Sequence, residues 1–216
     1  MKKVKIVYED KEIIVINKPA KLLTINTDDG DQDNLYSQVR EYIKKKNPKN
    51  KIFIVHRLDK ETSGLVIFAK SEDNKQFLQT NWNQFVRKYF AIVEGVVEKD
   101  KGTIQSYIAE TKTLQVYCTK DKTLGKSATT NYQVIKREKK LTLLEINILT
   151  GRKNQIRVQL SDIGHPIVGD KKYFSRINPL NRMALHAYYL KITHPQTKKE
   201  IEFEIPMPIE FNRLIK

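Results

Sequence analysis

The sequence predicts an α+β protein, a largely antiparallel mixed β-sheet flanked by a few helices. Three observations lead there. Segments of strand composition outnumber those with helical spacing. Most neighbouring strands are joined by connections too short for a crossover, which makes them antiparallel. The few helical segments carry apolar residues along one face, as helices packed on a sheet do. A chain of 216 residues can bury a sizeable core without staples, and a single domain over 1–216 is expected.

The elements follow in order. VKIVYEDKEIIVI (4–16) makes two short strands around Glu9, Asp10 and Lys11. TDDGDQDN (27–34) leads into a helix with Leu35, Val39 and Tyr42/Ile43 at helical spacing and Pro48 beyond its end. KIFIV (51–55) and LVIFA (65–69) read as strands on either side of a charged loop. Ser71, followed by Glu72 and Asp73, opens a helix that buries Phe77, Leu78 and Phe85. Strands KYFAIVEGVV (88–97), GTIQSYIAE (102–110), LQVYCT (114–119) and ATTNYQVIK (128–136) come next, and the turn at 136–140 returns the chain into LTLLEINIL (141–149). Thr150 is expected to cap a helix over RKNQIRVQLSDI (152–163), with Ile156, Leu160 and Ile163 on one face and Gly164 closing it. Two last strands, LHAYYLKIT (185–193) and KEIEFEIP (199–206), are joined around His194.

Forty Lys and Arg against twenty-five Asp and Glu leave a charge of +15 with histidine neutral. Such a field attracts polyanions, of which nucleic acid is the commonest in a cytosol. Cys118 is the only cysteine, so an internal disulfide is excluded and a reducing compartment favoured. The N-terminal residues lack a signal-peptide core, and no apolar run is long enough to span a bilayer. A cytoplasmic protein without a membrane partner is expected.

Three short motifs mislead. LGKSAT (124–129) imitates the tail of a phosphate-binding loop, but the glycine needed five positions before Gly125 is Lys120, and a strand follows. Asp29, Asp31 and Asp33 imitate a calcium loop, yet Asn34 and Arg40 stand where glycine and glutamate are required. His56, His165, His186 and His194 show no i,i+4 pair, so no metal site is expected.

The stretch IVHRLDKETSGLVIFAK (54–70) packs His56, Arg57, Asp59, Lys60 and Glu61 between two apolar runs. A carboxylate there needs a partner or a task, because desolvation without pairing is costly. The residues leave two roles open for Asp59: an internal ion pair with Arg57 or Lys60, or a carboxylate kept ionised by a cation as a nucleophile or base. Tyr89 opens a strand beside Arg87 and Lys88, where core packing with a hydrogen-bonded hydroxyl is the more frequent role of a tyrosine. Arg157 lies one position from the apolar row of its helix, where it can reach inward or stay in solvent.

HRLDKETSGLVIFAK resembles the signature of the RluA-type RNA pseudouridine synthases. The family's other blocks recur in order: VINKPAKLLT (15–24), RKYFAIVEG (87–95), GKSATTNYQV (125–134), TGRKNQIRVQL (150–160), GHPIVGDKKY (164–173) and RMALHAYYLKITHP (182–195). The resemblance implies a pseudouridine-synthase-like fold with the active-site cleft across the sheet, and isomerisation of a uridine within structured RNA, either ribosomal or transfer RNA. By the same resemblance Asp59 is the nucleophile, Arg57 fills the place vacated by the flipped uridine or holds its backbone, Tyr89 packs on the base and assists proton removal from its carbon 5, and Arg157 pairs with Asp59. His56, Lys88 and Arg152 join Arg57 as RNA-binding candidates. A monomer is expected, with no cofactor and no metal. Flipping out a stacked base costs about a few kcal/mol, which a cation inserted beside the nucleophile can offset.

The chain departs from the family pattern at Lys21, and at Lys153–Asn154 where relatives carry Thr-His. These departures bear on which RNA is bound more than on activity. The first block begins within twenty residues, so no N-terminal RNA-binding domain is expected, and affinity falls to the domain's own lysines. A catalytically silent RNA-binding or assembly factor, and a base-releasing glycosylase, are the competing classes.

Overall fold

The computed structural model describes residues 4–26 and 33–215. The acidic stretch with Asp29 and Asp31 lies outside the described residues. The chain divides into two compact units, Met1–Phe85 with Ala187–Ile205, and Val86–His186 with Pro206–Lys216.

In the first unit, β1 (Ile6–Glu9) and β2 (Ile13–Lys18) form the antiparallel hairpin expected around Asp10. Asp10 makes the turn by accepting hydrogen bonds from the Glu12 and Ile13 N–H groups at 2.7 and 2.8 Å. β2 pairs with β4 (Ser63–Ala69), from Ile13 opposite Ala69 to Lys18 opposite Gly64. All seven residues of β4 are buried, so it is a central strand, which explains its unbroken apolar run. The segment KIFIV is cut to a two-residue strand, β3 (Phe53–Ile54), opposite Phe68 and Ala69. Beyond it the edge of β4 is taken by β10 (Leu185–Thr193), which forms a hairpin with β11 (Glu200–Glu204). Gly64, at φ +120°, allows that approach, because a Cβ there would fall 2.1 Å from the Ala187 carbonyl oxygen.

Two helices belong to this unit. α1 (Leu35–Lys46) is capped by Asn34, whose side chain accepts from the Ser37 N–H, and it buries Leu35, Val39 and Ile43. α2 (Glu72–Thr80) is capped by Ser71, as its sequence implies, and buries Leu78. Phe77 is half-buried, and Phe85 is buried just past a 3-10 turn over Trp82–Gln84, outside the helix.

In the second unit five strands lie in the order β5 (Val86–Glu94), β9 (Leu141–Ile148), β8 (Lys126–Glu138), β6 (Lys101–Glu110) and β7 (Val116–Thr119), each antiparallel to its neighbour. Its core gathers Ile92, Leu144, Ile146, Ile156, Leu160 and Phe211. The LGKSAT segment runs straight into β8, so it makes no phosphate loop before a helix.

Two expectations are corrected here. The helix α3 spans Gln155–Asp162, and Thr150 does not cap it. The Thr150 hydroxyl instead donates to Gln155 Oε1 at 2.8 Å and accepts from the Thr129 N–H at 3.0 Å. Asn154, in the left-handed conformation, stands at the helix start. Ile163 falls beyond the helix and is 40% exposed, because the buried side is completed by amides. Gln159 reaches Thr130, Ser106 and the Ala128 carbonyl, while Gln155 reaches Thr130 and the Thr129 carbonyl. A short C-terminal helix, α4 (Ile209–Leu214), was not foreseen; Phe211 anchors it in the core.

The architecture is the α+β fold with a largely antiparallel sheet and flanking helices that the sequence predicts.

Candidate active site

Asp59 sits half-buried in the loop between β3 and β4, and that loop has a held backbone. The buried Thr24 hydroxyl donates to the Leu58 carbonyl at 2.8 Å and accepts from the Leu58 N–H at 3.1 Å. The Thr62 N–H donates to the Asp59 carbonyl at 3.1 Å. Lys18, 0% exposed, donates to the carbonyls of Lys60, Leu22 and Pro19 at 3.2, 2.7 and 3.0 Å. A buried ammonium thus ties the turn after Asp59 to the segment that follows β2. Sequence reasoning missed Lys18; its signal was a lysine closing an otherwise apolar strand.

The neighbours of Asp59 diverge. Arg57 is exposed, while Leu58 is buried. His56 is turned into the protein: its Nε2 accepts from the Ile67 N–H at 3.2 Å and its ring stacks on Trp82 at 4.2 Å. That bond makes Nδ1 the protonated nitrogen of a neutral ring. It also serves a β4 amide past the end of β3.

Tyr89 is half-buried in β5 and packs on the second unit's core. Side chains alternate along a strand, so Arg87 shares its face and Lys88 points to the other. Arg87 is 4% exposed and donates to the Ile148 carbonyl at 3.3 Å. Burial pushes its guanidinium below the ordinary value, with Tyr89 acting in the opposite sense. Lys88 pairs with Glu145 at 3.0 Å.

Arg157 is two residues from both Gln155 and Gln159, which places it on the opposite side of α3 from the amides that fasten the helix. Its Nε and Nη2 donate to the two oxygens of Asp170 at 2.7 and 2.9 Å, and Nη1 donates to Asn154 Oδ1 at 3.1 Å. The guanidinium lies 5.0 Å from the Tyr173 ring centre, and the Tyr173 hydroxyl accepts from Asn154 Nδ2 at 2.9 Å. Asn154, one of the departing positions, therefore helps hold Arg157. Lys153 pairs with Glu110, and Arg152 is exposed with Nε on the Ser127 carbonyl at 2.9 Å. Asp170 and Tyr173 went unnoticed as partners of Arg157, since nothing local marks residues thirteen and sixteen positions away.

Among the described residues no three His, Cys, Asp or Glu side chains converge as a metal ion would require, and no helix is long and apolar enough to cross a membrane.

Comparison with known proteins gives this arrangement its class. The family model for RNA pseudouridylate synthase matches residues 12–162. The RNA pseudouridine synthase YhcT of Bacillus subtilis strain 168 is 35% identical over 217 residues, covering 98% of this chain and 71% of YhcT. The ribosomal large subunit pseudouridine synthase D of Haemophilus influenzae is 31% identical over 226 residues, covering 97% of this chain and 69% of the relative. The solved structure of human RNA pseudouridylate synthase domain containing 4 superposes with a TM-score of 0.80 at 25% identity, over 96% of this chain and 90% of the human one. The chain belongs to the RNA pseudouridylate synthase family. It is an enzyme, an isomerase that forms pseudouridine in RNA.

Proposed function

We propose that the chain is an RluA-type synthase that converts specific uridines of large-subunit ribosomal RNA to pseudouridine, with Asp59 as the nucleophile. The name of the Haemophilus relative supports the choice of RNA. The observation that carries the catalytic assignment is the Asp59 loop itself. A side chain that must meet a sugar or a base in one geometry needs a fixed main chain, and Thr24, Lys18 and the Thr62 N–H all clamp this one. Arg57, exposed two residues earlier, enters the RNA stack as the target leaves it. Tyr89 packs on the uracil and helps remove the proton from its carbon 5. Arg157, held in orientation by Asp170, Asn154 and Tyr173, completes the set.

The chemistry is a rearrangement. The Asp59 carboxylate bonds transiently to the substrate as the bond from nitrogen 1 to the ribose breaks. The uracil turns, and carbon 5 bonds to the ribose as Asp59 is released; carbon 5 loses its proton and nitrogen 1 takes one up. Oxidation level and composition are unchanged, so no cofactor takes part. The enzyme works as a monomer in the cytoplasm.

The test is Asp59→Asn. The variant is expected to fold and bind RNA while forming no pseudouridine; full activity would remove Asp59 from the mechanism. Pseudouridine maps of ribosomal and transfer RNA, with and without the gene, decide the substrate, and a site lost only from transfer RNA would overturn the ribosomal assignment.

A further inference from the structure

Phe174 is 73% exposed, the most exposed large hydrophobic side chain among the described residues. Single exposed hydrophobes are ordinary on a protein surface. This one is not, because its backbone lies at φ +69°, in the left-handed region. That conformation penalises every residue with a Cβ, and bulky ones most. Glycine would be the better residue for folding, and the ring is too exposed for core packing to offset the strain.

The backbone around the ring is held on both sides. The Asp170 carbonyl accepts from the N–H groups of Tyr173 and Ser175 at 3.0 and 3.1 Å, bracketing Phe174. Glu94 Oε1 accepts from the Ser175 hydroxyl at 2.6 Å and from the N–H groups of Arg176 and Ile177 at 2.7 and 3.2 Å. The Ser175 hydroxyl in turn accepts from the Gly169 N–H at 2.9 Å. Gly169, at φ +82°, lets this loop close, since a Cβ would meet the Arg182 carbonyl oxygen at 2.3 Å. Lys171, Lys172 and Arg176 surround the ring in sequence, all exposed and, among the described residues, in no ion pair.

An exposed aromatic ring on a held backbone, with cations close by in sequence that make no ion pair among the described residues, is a pattern that binds unpaired nucleotides: bases stack on the ring while the cations follow the phosphates. Asp170 adds a link to the chemistry. Its carbonyl sets the Phe174 loop, and its carboxylate holds Arg157. We infer that Phe174 is a stacking platform for an unpaired nucleobase of the RNA substrate, with Lys171, Lys172 and Arg176 on the adjoining phosphates. The inference rests on the enzyme's acting on RNA; it does not depend on the role given to Asp59.

The test uses the full chain with Phe174→Gly and Phe174→Trp, and an RNA hairpin carrying 2-aminopurine in its loop as the probe. Phe174→Gly is expected to melt at or above the parent temperature, since strain is relieved. Its RNA affinity is expected to fall about 5- to 150-fold, the usual effect of losing one stacked base. The loss should fall on KM more than on kcat. The 2-aminopurine quench seen with the parent should vanish in Phe174→Gly and persist in Phe174→Trp. Affinity and KM within twofold of the parent would overturn the inference. So would a glycine variant that melts well below the parent, which would make the ring a packing residue, or one that loses only a protein partner. If Phe174→Gly weakens RNA binding while Asp59→Asn stays active, the platform stands and the nucleophile assignment falls.

Discussion

The Arg157 guanidinium holds both carboxylate oxygens of Asp170, thirteen residues further along the chain, with the two side chains 12% and 2% exposed. A bidentate pair this buried fixes the plane of the guanidinium as well as its position. Breaking a buried ion pair by removing one partner typically costs about 3–5 kcal/mol. Asp170→Asn is therefore expected to lower unfolding free energy by about that amount, as read by denaturant titration. Pseudouridine formation should fall even well below its melting temperature. A variant as stable and active as the parent would make the pair dispensable.

Lys18 offers a second test. Its ammonium serves three carbonyl oxygens, one of them that of Lys60 beside Asp59. Lys18→Met keeps most of the volume and removes the donor, stranding acceptors at about 1–3 kcal/mol each. Stability should fall by at least that much, and kcat should fall more than RNA affinity, because the loop loses its anchor. Unchanged kcat in folded Lys18→Met would show that the Asp59 loop is held without it.

Acid stability should depend on Glu9. Burial pushes its carboxyl up, but hydrogen bonds from Lys46, Lys70 and Tyr42 outweigh this and hold it at about 2, below the ordinary 4.5. Between those values the unfolded chain binds the proton and the folded one does not. The contribution is thus complete above about pH 4.5 and is lost as pH falls towards 2. Glu9→Gln should be less stable than the parent at neutral pH, with the gap narrowing on acidification. A gap that stays constant from pH 6 to about 2 would contradict the assignment.

RNA binding should be strongly sensitive to salt. With a net charge of +15, phosphate contacts dominate, and a protein touching about six phosphates loses about a thousandfold in affinity between about 50 and 200 mM salt. Filter binding across that range checks this. A flat response would move recognition from phosphates to bases.

Much of this molecule is written locally. The hairpin at Asp10, the caps at Asn34 and Ser71, the antiparallel strands and the charged loop between β3 and β4 all follow from short-range periodicity and turn chemistry, which involve residues a few positions apart. The charge and the HRLD stretch likewise pointed to RNA without any coordinates. Tertiary structure decided the rest. KIFIV shrank to two residues because β10 takes the edge of β4 that a longer strand would need. α3 starts at Gln155 because Thr150 spends its hydroxyl on Thr129 and Gln155. Arg157 meets Asp170 thirteen residues further on, a partner that no local pattern marks. Lys18 closes an apolar strand, yet only folding shows which carbonyls it meets. Backbone hydrogen bonds choose partners nearby, whereas a buried charge takes whatever partner the packed chain brings to it, and that choice is made by the whole fold.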